Sequence, residues 1–147
     1  ALIAAAAGVL TVTLAGCSAP TNGERSPAFA AAESLQPSEA SAASIGVYEG
    51  LLPCGDCAGL RTTIYVRADG TYTRIYTYEG EKDDLGRTPS FSEAGSWKLE
   101  GRRFTFTPKD HSPAWLADST EHGLRLLDGE GSPVEGPLGP MYDLQKR

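Results

Sequence analysis

The sequence predicts an all-β domain, an antiparallel up-and-down meander of strands that closes as a small barrel. Three observations carry the prediction. Short runs in which apolar and polar residues alternate recur at a spacing of roughly eight to twelve residues. Turn residues separate the runs, among them Asp69-Gly70, Glu100-Gly101 and Asp128-Gly129. No stretch from residue 45 to residue 147 sustains a helical period. Consecutive hairpins close most simply by bringing the last strand beside the first.

The elements follow in order. Val47, Glu49 and Leu51 alternate with Tyr48 and Gly50, a first strand from Ile45. Residues 50–60 form a turn-rich segment that holds Cys54 and Cys57. Leu60, Thr62, Ile64 and Val66 alternate with Arg61, Thr63, Tyr65 and Arg67, a half-buried strand. Asp69-Gly70 is the strongest short hairpin signal, and residues 71–78, rich in Thr and Tyr, return from it. Residues 79–89 are a charged, Gly-containing loop. Residues 91–99 form a strand containing Gly95-Ser96-Trp97, and after the Glu100-Gly101-Arg102 turn Phe104 and Phe106 alternate with Thr. Residues 108–118 are expected to be an irregular loop with one helical turn at Trp115-Leu116. Residues 123–127, 133–136 and 141–144 supply the closing strands.

Residues 1–15 are almost entirely small and apolar and end in Leu14-Ala15-Gly16-Cys17. The run has no polar face and is shorter than the ~20 apolar residues that span a bilayer. It has the pattern of a signal peptide, here without a Met or a basic leader, as one missing its first residues would be. Leu-Ala-Gly-Cys resembles the bacterial lipobox. In that motif a peptidase cuts before the cysteine, whose sulfur and new amino group carry acyl chains. Residues 1–16 are therefore expected to be removed and Cys17 to be lipidated. Two or more acyl chains anchor a protein stably to a membrane without spanning it. Ser18 rather than Asp after the cysteine favours the outer membrane, facing the periplasm, by resemblance to enteric sorting rules. Residues 17–44 are rich in Ala, Ser, Pro and Glu. They bury too little apolar surface to offset their ordering entropy and are expected to be a flexible linker, with a short helix around residues 29–35 as the alternative. The barrel domain then covers residues 45–147.

A net charge of −6 argues against a nucleic-acid partner and against a polybasic membrane contact. With Cys17 taken by lipid, Cys54 and Cys57 remain as an even pair in an oxidising compartment.

The chain resembles the N-terminal domain of the NlpE family of copper-resistance and envelope-stress lipoproteins. The lipobox carries the resemblance, together with Tyr48-x-Gly50-x-Leu52-Pro53-Cys54-x-Asp56-Cys57-x-Gly59-Leu60-x-Thr62. Asp69-Gly70-Thr71-Tyr72, Gly95-x-Trp97 and Leu126-x-Asp128-x-x-Gly131 extend it over about residues 46–144. The resemblance implies a lipocalin-like, partly open barrel. It also implies a periplasm-facing outer-membrane lipoprotein, linked to copper tolerance and to signalling through an inner-membrane sensor kinase. Some members carry a second, OB-like domain. The expectation here is of the N-terminal domain alone, without functions that reside in the other.

Three chemistries compete for Cys54 and Cys57. A structural disulfide suits the compartment and the even count. A reduced pair could instead clamp a soft ion such as copper, with Asp56 adding negative charge; the other candidate ligands, His111, His122 and Met141, are distant in sequence. Thioredoxin-like redox catalysis needs the first thiol at a helix N-terminus, whereas a β-patterned run follows Cys57. Elsewhere, Asp83-Asp84 lacks the spacing of a calcium loop, and Asp110-His111-Ser112 is a contiguous tripeptide rather than a triad. No residue signals catalysis, so the expected function is a non-enzymatic envelope sensor or adaptor. A periplasmic copper- or small-ligand-binding protein is the alternative.

Overall fold

A computed structural model describes residues 39–147. The expected removed segment, Cys17, and the alternative helix at residues 29–35 lie outside the described residues. A five-residue helix, α1 (Glu39–Ala43), leads into eight strands: β1 (Gly46–Leu52), β2 (Gly59–Val66), β3 (Thr71–Glu79), β4 (Ser90–Glu100), β5 (Arg103–Pro108), β6 (Trp115–Ser119), β7 (Gly123–Leu126) and β8 (Asp143–Lys146). Each strand pairs antiparallel with the next, and β8 pairs with β1, through Tyr48↔Lys146 and Glu49↔Gln145. The all-β up-and-down barrel is therefore observed, and it is closed rather than partly open. Closure rests on the last residues of the chain, since Lys146 and Arg147 also donate main-chain hydrogen bonds to the carbonyls of His122 and Val47.

The period-two pattern decides which side chains fill the interior. Ile64 and Val66 of β2, Tyr72 of β3, Phe104 and Phe106 of β5, Leu124 of β7 and Leu144 of β8 are almost wholly buried. Arg61, Lys98 and Thr107 point to the outside and are exposed. An apolar inside with a polar outside is the reverse of a membrane-spanning barrel, whose outer band is apolar. Trp97 belongs to the core and its indole N–H donates to the Arg67 carbonyl, 2.9 Å away.

The Asp69-Gly70 hairpin forms as expected, with Asp69 accepting from the Thr71 amide and hydroxyl. Four expectations are corrected. Residues 115–119 form β6 rather than a helical turn, because Phe106↔Trp115 and Phe104↔Ala117 place two more side chains on the core face. Residues 133–136 form no strand, only the bridge Leu127↔Pro133. The closing strand is Asp143–Lys146, preceded by a 3-10 turn, Gly139–Tyr142, that leaves Met141 exposed. The linker expected to run through residue 44 gives way to structure at α1: Ser44 is buried, and its carbonyl accepts a 2.7 Å hydrogen bond from Tyr48.

Candidate functional site

The meander sorts its connections to two ends. The chain enters through α1 at one end, shared with the β2–β3, β4–β5 and β6–β7 turns. At the other end lie the β1–β2 segment with the two cysteines, the long β3–β4 loop, the β5–β6 loop and the segment before β8. Cys54 and Cys57 are thus carried to the end of the barrel opposite the one where the chain arrives.

Cys54 and Cys57 form a disulfide with a Cα–Cα distance of 5.4 Å. Pro53 stops the first strand because it lacks an amide for the ladder, and Gly59 opens the second. The Ala58 amide donates to the Glu79 carbonyl, fastening the turn to the end of β3. Asp56 projects from the turn and is exposed. The ligand-capable atoms of Cys54, Asp56 and Cys57 lie within 4.8 Å of one another, and among the described residues no His joins them. His111 lies in the β5–β6 loop at the same end, with a positive φ of 65°. His122 is at the opposite end. Neither histidine is therefore brought together with the cysteines.

Beside the cysteine turn the inward-facing rings of β3 and β4 reach the rim. Tyr76 and Phe91 stack at 5.8 Å, and Tyr78 meets Phe91 nearly edge-on at 5.7 Å. Asp56, Tyr78, Glu81, Pro89 and Phe91 line an open cavity of about 490 Å³.

Below these rings the interior turns polar. Glu93 accepts from the Tyr72 hydroxyl (2.5 Å), the Trp115 indole N–H (2.8 Å) and the Arg74 guanidinium (2.9 Å). The Arg74 guanidinium lies 4.6 Å from the Trp115 ring centre and 5.5 Å from that of Tyr76. Burial, and then the bond to Glu93, pushes the Tyr72 hydroxyl well above its ordinary range. This group was not singled out from the sequence. The available signal was a charged residue on the core face of each of two neighbouring strands, Arg74↔Glu93 in register.

A larger depression of about 720 Å³ lies at the entry end. Its cations are engaged: Lys146 donates to the Ala43 carbonyl, Arg102 to the Ser119 carbonyl, and Arg147 pairs with Glu49.

The family model of the NlpE N-terminal domain matches residues 48–137. Over 136 residues the chain is 29% identical to lipoprotein NlpE of Escherichia coli strain K12, covering 92% of this chain and 52% of that protein. The chain thus spans about half the length of the curated relative it matches. The crystal structure of the Cpx pathway activator NlpE from Escherichia coli superposes with a TM-score of 0.54 at 27% identity, over 62% of this chain and 46% of that one. A candidate lipoprotein from Shewanella oneidensis superposes with a TM-score of 0.59 at 31% identity, over 73% of this chain and 94% of that one. The match runs from the core tyrosine of β1, through the cysteine turn and the polar group inside the barrel, to the segment before β8, and the chain belongs to the NlpE N-terminal domain family.

Proposed function

We propose that the chain is a lipid-anchored protein of the bacterial envelope whose barrel acts as a non-enzymatic adaptor in envelope-stress signalling. The observation that carries this reading is the disposition of the two ends in a member of this family. The chain enters at one end, and the disulfide turn stands at the other. Anchored through Cys17 to the outer membrane on its periplasmic side, such a barrel would present the Cys54–Cys57 turn away from the lipid. There it would be available to an inner-membrane sensor kinase. The relationship to an NlpE that activates the Cpx pathway supports the reading. A Cys17→Ala form, which cannot be acylated and is left elsewhere in the envelope, should change the output of a stress-response reporter. An output unchanged by that mislocalisation would sink the proposal.

A second reading, periplasmic copper binding, is favoured by the clustering of Cys54, Asp56 and Cys57. The donor set fits a soft ion only after reduction, when two thiolates replace the disulfide. Cu(I) titration of the reduced protein tests it: the wild type should bind more tightly than Cys54→Ser/Cys57→Ser. Equal affinity removes the cysteines from any copper role.

A further inference from the structure

We propose that the aromatic corner beside the cysteine turn is a binding site for an alkylammonium cation. Its walls are the rings of Tyr78 and Phe91, inclined at 77° with centroids 5.7 Å apart. Tyr76 stacks behind Phe91 at 23° and backs that wall. Phe91 is 51% exposed, unusual for a phenylalanine on the core-facing side of a strand. It lies in the first half of β4, which pairs with β3 before the pairing with β5 begins at Gly95.

The charge of the cavity selects the ligand. Of the five residues that line it, Asp56 and Glu81 are carboxylates and none is a cation. The guanidinium groups nearby are ion-paired, Arg74 with Glu93 at 2.9 Å, Arg61 with Glu79 at 2.6 Å and Arg87 with Asp83 at 2.8 Å, while Lys82 donates to the Thr88 hydroxyl at 2.9 Å and keeps its charge. The face of an aromatic ring carries partial negative charge and attracts a cation within about 6 Å of its centre. Ring surface exposed at the cavity, with carboxylates at the rim, favours an ammonium group that carries carbon. Such a group is weakly hydrated and touches the rings through its methyl or methylene surface. A carboxylate or phosphate would meet two like charges. A bare metal ion would find only two carboxylates and a phenol among the lining residues, too few donors for the roughly six to eight oxygens that calcium takes. The site does not depend on the signalling role, and it stands or falls with its own test.

The same chemistry could reach the corner as a free amine or as the lysine side chain of a peptide. The test uses the full chain in nonionic detergent and follows the ring resonances of Tyr78 and Phe91 by NMR. Tetramethylammonium chloride is titrated against sodium chloride at matched ionic strength. Saturable shifts confined to Tyr76, Tyr78, Phe91 and their neighbours are expected. Phe91→Ala should weaken binding about two- to five-fold, the factor equivalent to one exposed cation–π contact. Asp56→Asn/Glu81→Gln changes two exposed loop residues and should weaken binding while removing its salt dependence. Spermidine binding more tightly than a capped lysine peptide assigns the site to free amines, and the reverse order to protein side chains. Shifts that fail to saturate, or an affinity unchanged in both variants, overturn the proposal.

Discussion

Tyr72 holds its proton more tightly than a tyrosine in water does. Its side chain is wholly buried, and burial disfavours the phenolate before any specific partner acts. The hydrogen bond to Glu93 adds to this, since a phenolate would have no proton to give that carboxylate. The sign of the pH effect follows. The unfolded chain releases this proton near the ordinary value of 10.0, while the folded chain keeps it to higher pH. Stability from this group is therefore fully present below pH 10 and declines above it, by up to about 1.4 kcal/mol per pH unit. Tyr72→Phe should remove that share of the alkaline slope. At neutral pH it should also cost about 1.5–3 kcal/mol, because Glu93 loses a donor inside the barrel. Urea unfolding of both proteins across the alkaline range measures this, and identical slopes would refute it.

The closing strand β8 shows how an element of four residues can complete a wall. Both neighbours bring a glycine to it. A β-carbon on Gly50 would stand 2.6 Å from the Leu144 side chain, and one on Gly123 only 1.8 Å from the Leu144 carbonyl oxygen. Arg125 and Asp143, paired in register, add a two-pronged ion pair at 2.6 Å on each arm. Leu144 itself is wholly buried. Leu144→Ala is expected to destabilise the domain by about 2–5 kcal/mol, readable in chemical denaturation. A change below 1 kcal/mol on that scale would mean that β8 does not close the core. Elements with long alternation were legible in the sequence: β2, the Asp69-Gly70 hairpin and Phe104/Phe106 of β5 all lie where the period places them. β6 was not, because Trp-Leu-Ala-Asp-Ser is short, follows Ser112-Pro113, and shows its core face only once Phe104 and Phe106 are beside it. The end of the chain was misplaced for a related reason. Met141 extends an apolar run, but the 3-10 turn rotates it outward and starts the strand at Asp143.

At the scale of the whole molecule the disulfide is a local fastening. The core runs from Tyr48 to Leu144 without either cysteine. Closing so short a loop contributes only about 2 kcal/mol by chain entropy, against roughly 5–15 kcal/mol for a typical domain. Reduction should therefore lower the melting temperature by several degrees and leave a folded barrel, as thermal melts with and without a phosphine reductant would show. Complete unfolding on reduction would mean that the turn holds more of the structure than its contacts account for. The candidate site was partly legible. The cysteine spacing marked the turn, but the rings and carboxylates beside it come from three separate segments, and only the barrel's register assembles them. That register has one more effect. Every strand has a hydrogen-bonded neighbour on each side, so the wall leaves only short rows of amides and carbonyls for a partner to join by β-augmentation, at residues 90–93 of β4 and 50–52 of β1. Most of the recognising surface is loops and rim side chains, and exchanging the loops of the cysteine end between relatives should transfer partner choice while the wall stays as it is.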